Sequence, residues 1–165
     1  MCIIWGMKAV CLTGNRPHKM PYAENSAEGL ALKERLCAEA EKLICEGYTH
    51  FISGMALGAD MYFAECVLRL KETHGVTLEA AVPYPGQSDN FTQRDKQRYD
   101  AVLSAADKKT VLCESYTPYC FAKRNKYMVD SSDVVLAVCF TRSGGAASTV
   151  RYAASKGKRI INLAD

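Results

Sequence analysis

The chain has 165 residues and a formal net charge of +3, from 21 basic and 18 acidic residues. Hydrophobic residues make up 48% and charged residues 24%, which excludes a disordered, collagen-like or coiled-coil chain. The length fits one domain, so we expect a single domain over residues 1–165, with residues 1–6 as an extension outside its core. The small net charge argues against nucleic acid as a partner.

The chain carries no sign of a membrane segment or a metal site. It has no run of about 18 apolar residues, and its apolar start lacks the basic region of a signal peptide. The eight cysteines have no C-x-x-C spacing and mostly fall in apolar runs, which favours free, buried thiols in a reducing compartment. The three histidines show no ligand spacing. We therefore expect a cytoplasmic protein without a metal ion.

Short apolar runs alternate with helical stretches along the chain. The predicted strands are 8–13, 49–53, 76–82, 110–114, 133–140 and 159–163, and the predicted helices are 26–46, 58–73, 91–105, 119–131 and 146–155. In the first helix, Leu32, Leu36 and Ala40 recur at helical spacing. Alternating strands and helices form right-handed βαβ units. We therefore predict an α/β fold, a Rossmann-like doubly wound three-layer sandwich with a mainly parallel sheet of about six or seven strands.

In such a sheet, ligands bind beyond the carboxyl ends of the strands, where the strand order reverses. Glycines and side chains with hydrogen-bonding groups follow several of the predicted strands. They are Thr13, Gly14 and Arg16 after the first strand, Ser53, Gly54, Gly58 and Asp60 after the second, Pro83 and Tyr84 after the third, and Gly144, Gly145, Ser148 and Thr149 after the fifth. Arg124 and Asn125 lie on the helix before the fifth strand. Together these residues predict a ligand site at one edge of the sheet.

The loops point to a phosphate. Gly144 and Gly145 open a helix, whose free N–H groups favour an anion. Arg16 or Arg124 would neutralise its charge, and Tyr84 would flank a base. The loop after the second strand matches neither G-x-G-x-x-G nor a Walker A motif, because no lysine follows its second glycine. Taken singly, each loop also fits an ordinary turn. Tyr84 also fits a packing residue, and Arg124 also fits a solvated basic face.

Two carboxylates are the candidates for catalysis. Asp60 begins the second helix, where it would otherwise cap the helix or accept from a ribose hydroxyl. Glu65 lies one turn further on, where a surface position is the alternative. His18 is a lone candidate base, and the sequence has no Ser/His/Asp or Cys/His order in a recognisable motif. These residues are therefore single candidates and do not form a recognisable catalytic set.

Taken in order, the loops resemble those of the bacterial YpsA-like family, which belongs to the SLOG superfamily. The matching segments are Thr13-Gly14-Asn15-Arg16-Pro17, the glycine loop 53–60, Val82-Pro83-Tyr84, Arg124-Asn125 with Asp133, and Gly144-Gly145 to Thr149. This superfamily of Rossmann-like proteins includes the DNA-processing protein DprA and the phosphoribohydrolases called LOG. The resemblance implies binding or sensing of a nucleotide derivative such as ADP-ribose, NAD or a nucleoside monophosphate, with a regulatory role in cell division or stress. No other cofactor is implied.

The resemblance to LOG enzymes implies an alternative, a nucleotide N-glycosidase. Their arginine-lysine pair is here Arg124-Asn125, their third loop glycine is Ala147, and their acidic positions fall on residues 149–151, which carry no carboxylate. These departures favour binding over turnover, because an oxocarbenium-like centre needs a nearby carboxylate. A DprA-like single-stranded DNA module is a second alternative, which the small charge supports poorly. A homodimer and a protein partner are left open.

Overall fold

Residues 8–164 are described in a computed structural model, and the expected extension at residues 1–6 lies outside them. Strands and helices alternate through this part of the chain. The strands are β1 (Ala9–Gly14), β2 (His50–Ser53), β3 (Thr77–Val82), β4 (Lys108–Val111), β5 (Val134–Val138) and β6 (Arg159–Asn162). The α-helices are α1 (Ala27–Cys45), α2 (Ala59–Lys71), α3 (Gln93–Ala105), α4 (Cys120–Asp130) and α5 (Gly145–Ser155). A 3₁₀ helix at Pro17–Lys19 follows β1.

The strands form one sheet in the order β4-β3-β2-β1-β5-β6, and every pair in it is parallel. The prediction of a Rossmann-like α/β fold is confirmed. The chain builds outward from β1 to β4 at one edge and returns through α4 to β5, which lies on the other side of β1. The strand order therefore reverses between β1 and β5, and this is where such sheets open a crevice for ligands.

The sheet separates two cores, because successive side chains of a strand point to opposite faces. Val10 and Leu12 of β1 belong to the larger core, which packs under α1, α2 and α3. Cys11 between them belongs to the smaller core, together with Met128 of α4 and Ala153 of α5. Both faces are therefore covered by helices, and the carboxyl edge of the sheet is left for the loops.

Strand β4 lies two residues earlier in the chain than predicted. It spans Lys108–Val111 instead of 110–114, and Lys108 pairs with Glu79 of β3. The apolar residues after Val111 drew the prediction forward, but β4 is the edge strand and is mostly exposed, so hydrophobicity does not mark it. Leu112 still donates its N–H to the carbonyl of Val82 at 2.9 Å, just beyond the strand.

Two cysteines differ from the expectation of free thiols. Cys37 of α1 and Cys66 of α2 form a disulfide with their Cα atoms 5.7 Å apart, so the expectation is wrong for this pair. Packing of α1 beside α2 brings them together across 29 residues of sequence, which no short motif could signal. The free cysteines of the described chain are buried at Cys11 and Cys120, partly buried at Cys113 and Cys139, and exposed at Cys45.

Between residues 8 and 164, no helix is long and apolar enough to cross a bilayer.

Candidate functional site

A cavity of about 300 Å³ lies at the point where the strand order reverses. We call it the central cavity. Its walls come from the end of β1, the 3₁₀ helix and the first turns of α2 and α5, and α4 closes one side. No group of three or more His, Cys, Asp or Glu residues within 8–164 is placed to hold a metal ion. The chemistry of the cavity therefore depends on backbone N–H groups and on a few charged side chains.

The first turn of α5 faces the central cavity through Gly145 and Ala146. Gly144 precedes it with φ at +94°, a conformation that side chains disfavour, and within the described residues no side chain caps this helix end. The N–H groups of the first turn are thus left for another acceptor. Together with the helix dipole, they make this end of the cavity attractive to an anion.

Asn15 fastens the loop after β1 to the loop after β5. Its N–H donates to the carbonyl of Val138 at 2.8 Å, and its Oδ1 accepts from the N–H of Phe140 at 2.7 Å. Its Nδ2 donates to Thr141 Oγ1 at 3.1 Å. Since both ends of this side chain form hydrogen bonds within the protein, Asn15 shapes the cavity.

Arg124 and Asp60 are the two charges buried at the base of the cavity, with 4% and 6% of their surface exposed. Arg124 donates through Nη1 to the carbonyl of Gly54 and through Nε to Asn125 Oδ1 at 2.7 Å. Asp60 accepts from the N–H of Ala56 at 3.3 Å. Burial raises the pKa of Asp60 to about 6, and the positive charge of Arg124 opposes this shift. Burial also lowers the pKa of Arg124.

Two further cations lie at the mouth of the cavity. Arg16 is exposed, and its guanidinium lies 5.2 Å from the ring centroid of Phe121. The Lys19 ammonium stands beside the start of α5, since a Cβ added to Gly144 would come within 2.8 Å of Nζ. Among the described residues that line the cavity, Asp60 is the one carboxylate. The lining of the central cavity therefore carries a net positive charge, which fits an anionic ligand.

The structure brings together about half of the predicted ligand-binding residues at the central cavity. These are Thr13, Gly14, Arg16, Asp60, Arg124, Asn125 and Gly145. Ser53, Gly54 and Gly58 are buried in the loop that supports it. Ser53 Oγ donates to the carbonyl of Asp60 at 2.9 Å, which fixes the start of α2. Ser148 and Thr149 line a neighbouring groove between α4 and α5.

Pro83 and Tyr84 are not among the residues that line the central cavity. Pro83 is buried, and its carbonyl accepts from the N–H of Cys113 at 3.0 Å. The Tyr84 ring packs edge-on against Tyr116, with centroids 5.5 Å apart, and against Phe121 at 6.0 Å. Tyr84 thus supports Phe121 from behind, and Phe121 is the aromatic ring that faces the cavity.

Glu65 also lies away from the cavity. Its carboxylate forms an ion pair with Arg98 of α3, and Arg98 Nη2 also reaches Glu24 Oε1 at 2.7 Å. This network bridges α2, α3 and the segment before α1. Asp60 is accordingly the candidate carboxylate that the structure places at the cavity.

Lys19 and Phe121 line the cavity, but neither was predicted from the sequence as a site residue. Pro17 begins a one-turn 3₁₀ helix that turns His18 and Lys19 back over the cavity. The proline directly after Arg16 was the available signal, because it favours the first position of a helix.

Two solved structures share this fold. DprA from Helicobacter pylori superposes with a TM-score of 0.67 at 21% identity, and the match covers 96% of this chain and 66% of the DprA chain. DprA from Streptococcus pneumoniae gives a TM-score of 0.64 at 18% identity, with 94% and 50% covered. The chain therefore spans between half and two thirds of these proteins. The Helicobacter structure describes a single-stranded DNA binding mode of that protein.

Relatives by sequence are bacterial UPF0398 proteins. One from Halalkalibacterium halodurans is 28% identical over 134 residues, or 79% of this chain and 71% of the relative. Another, from Bacillus cereus strain G9842, is 25% identical over 160 residues, or 94% and 87%. The model of the YspA SLOG family (YpsA) matches residues 10–159, which is most of the chain. Because this match extends over nearly all of the sheet and its helices, the chain belongs to the YspA SLOG family.

Proposed function

We propose that the chain binds a nucleotide derivative of the ADP-ribose or NAD type in the central cavity and acts as a sensor of it. One observation carries the proposal. The uncapped first turn of α5, the Arg16 guanidinium and the Lys19 ammonium converge on a single cavity at the reversal of the strand order. Backbone N–H groups and paired cations are the elements with which proteins bind phosphate. We place the phosphates of the ligand against them.

An adjoining pocket of about 250 Å³ would take the base. It shares Arg16 and Phe121 with the central cavity and adds the apolar side chains of Leu57 and Phe91. Gln87 lines it too, but its Nε2 donates to the carbonyl of Gly54 at 3.0 Å. The pocket is therefore a largely apolar slot with an aromatic wall, which suits stacking of a planar base. In this arrangement Phe121 takes the role that the sequence suggested for Tyr84.

A sensor needs binding without turnover, and the cavity is equipped for that. Its cations and N–H groups would stabilise a ground-state phosphate. The one carboxylate among the described lining residues, Asp60, is buried beside Arg124. A regulatory role in cell division or stress, which the family resemblance implies, follows as part of this proposal. Loss of the ligand site would then alter regulation without removing a metabolic step.

Asp60 also favours a second candidate, hydrolysis of a nucleotide N-glycosidic bond. It lies at the cavity, and burial raises its pKa to about 6, so it would hold or release a proton near neutral pH. Incubation with AMP, ADP-ribose and NAD, followed by chromatography for released base, tests this candidate. Release that the Asp60→Asn variant abolishes would establish an enzyme, whereas rates equal in both proteins would exclude Asp60 chemistry.

A thermal-shift panel tests the binding proposal. It includes ADP-ribose, NAD, AMP, ADP, inorganic phosphate and a single-stranded oligonucleotide. A ligand at about 100 times its dissociation constant adds roughly 2.7 kcal/mol, which moves the midpoint by about 5–10 °C in a chain of this size. We expect that shift with ADP-ribose or NAD. No shift with any nucleotide, with no nucleotide found by mass spectrometry in the denatured protein, would refute the proposal, and a shift with the oligonucleotide alone would favour the DNA alternative.

A further inference from the structure

A groove of about 480 Å³ runs between α4 and α5, next to the central cavity. Its walls include Pro118, Ala122 and Lys126 on one side and Ser148, Thr149 and Tyr152 on the other. Within residues 8–164, Lys126 is the charged residue of the groove lining, and none of the lining residues is a carboxylate. The proposed function uses the central cavity and the slot beside Leu57 and leaves this groove without a role.

Phe121 lies at the junction of all three spaces. It lines the central cavity, the slot near Phe91 and the α4–α5 groove. Asn125 and Gly145 are also shared between the central cavity and the groove. The two outer spaces are thus separate branches from one centre, and that centre is where the cations and the α5 N-terminus meet.

The passage from the centre into the groove carries a hydrogen-bond donor. Asn125 Oδ1 accepts from Arg124 Nε at 2.7 Å, which fixes the amide and leaves Nδ2 on the side of Gly145. A Cβ added to Gly145 would lie 3.9 Å from Nδ2, so the amide faces the start of α5 across this passage. An amide donor beside a glycine is well placed for the phosphate that joins two halves of a ligand.

The groove itself fits an uncharged, flat group that carries hydroxyls. Tyr152 is held by a hydrogen bond from its hydroxyl to Asp130 Oδ1 at 2.7 Å, and the Lys126 ammonium lies 5.9 Å from its ring centroid. Ser148 is exposed, and its Oγ accepts from Arg151 at 3.1 Å, so its O–H remains a donor. An apolar wall with a few polar groups is the usual make-up of a site for a nucleoside.

We infer that the α4–α5 groove is a second nucleoside subsite, so that the ligand is a dinucleotide with its pyrophosphate in the central cavity and a nucleoside on either side of Phe121. This inference rests on the proposed function, because the groove is reached through the phosphate site. Recognition by both branches would select dinucleotides over the mononucleotides that the central cavity and slot alone would accept.

Calorimetric titration with diadenosine diphosphate and with ADP tests the inference. Both halves of the first probe are adenosine, so either orientation fills the groove. The variants are Ser148→Trp on α5 and Ala122→Trp on α4, which would block the groove from opposite walls at exposed positions. Ala154→Trp on α5, exposed and outside the groove lining, is the matched control. Circular dichroism and melting show that each variant is folded.

We expect the unmodified protein to bind diadenosine diphosphate at least tenfold more tightly than ADP. Ser148→Trp and Ala122→Trp should each remove this advantage and leave the ADP affinity unchanged, whereas Ala154→Trp should change neither. If ADP binds but the dinucleotide binds no better, or keeps its advantage in both groove variants, the second subsite is refuted while the proposed function stands. If neither probe binds, both proposals fail.

Discussion

Arg124 of α4 donates a hydrogen bond from its guanidinium to the carbonyl of Gly54, seventy residues earlier in the chain. The bond joins the loop between β2 and α2 to helix α4. This loop lies on one side of the point where the strand order reverses, and α4 covers the face of the sheet opposite to α2. Gly54 permits this approach, because a Cβ there would lie 2.5 Å from Arg124 Nη1. Arg124 is therefore part of the frame of the cavity as well as one of its charges.

Replacing Arg124 by Met should destabilise the protein by about 3–5 kcal/mol at neutral pH, because Asp60 would remain buried without its principal positive neighbour. Urea unfolding monitored by circular dichroism measures the loss. Lys123→Met, at the exposed neighbouring position, should change the free energy of unfolding by less than about 0.5 kcal/mol. Equal stability of the two variants would show that Arg124 has no part in the frame.

Gly58 fixes how the loop after β2 enters α2. Its φ is +90°, and a Cβ would lie 2.6 Å from the carbonyl oxygen of Asn15. Gly58→Ala should therefore cost at least about 1–2 kcal/mol from the backbone conformation alone, with the clash added. Gly75→Ala serves as the control, since no atom lies within 4 Å of its added Cβ. A Gly58→Ala melting temperature equal to that of the control would contradict the described loop.

Asp60 makes stability depend on pH. Burial raises its pKa from 3.8 to about 6, so the folded chain keeps a proton that the unfolded chain releases. This contribution is complete below pH 3.8 and is lost as the pH rises through about 6. As the pH rises from 4 to 7.5, the unmodified protein should therefore lose stability relative to the Asp60→Asn variant, by on the order of 2 kcal/mol.

Denaturant unfolding at several pH values measures this difference. Asp100→Asn, at an exposed position of α3, is the matched control and should follow the unmodified protein at every pH. A difference between Asp60→Asn and the unmodified protein that stays constant from pH 4 to pH 7.5 would show that Asp60 titrates normally in the folded chain.

The disulfide between Cys37 and Cys66 should stabilise the protein by about 3 kcal/mol, because it closes a loop across 29 residues in the unfolded chain. A non-reducing peptide map should contain the two cysteines in one linked fragment. Cys37→Ser should lower the melting temperature under oxidising conditions and make it insensitive to reductant, whereas Cys45→Ser, at an exposed free thiol, should do neither. Equal melting of the unmodified protein with and without reductant would refute a stabilising bond.

The alternation of strands and helices, and with it the parallel sheet, could be predicted from local patterns, because buried parallel strands such as Val134–Val138 read as continuous apolar runs. The exact position of edge strand β4 could not be predicted in this way, since a strand paired on one side needs little hydrophobicity. The disulfide escaped notice for a related reason: it depends on how α1 and α2 pack, and no spacing of Cys37 and Cys66 encodes that packing.

The candidate site divides in the same way. Glycines and Arg16 follow strand ends, so their meeting at one edge could be predicted from the order of elements. Which aromatic ring faces the cavity could not be predicted. Tyr84 and Phe121 pack against each other, and only the three-dimensional fold shows that Phe121 lies on the cavity side. Glu65 likewise was drawn away by Arg98, a partner 33 residues distant that local spacing does not reveal.

The central claim is that Arg16 and Lys19 hold the phosphates of a nucleotide at the first turn of α5, and calorimetric titration with ADP-ribose tests it most directly. Each cation should contribute about tenfold to affinity, so the Arg16→Ala/Lys19→Ala double variant should bind about 100-fold more weakly. The control, Arg94→Ala/Lys96→Ala, removes the same charge from exposed positions of α3 and should bind as the unmodified protein does. Equal affinity of the two double variants, or no binding of ADP-ribose by the unmodified protein, would contradict the claim.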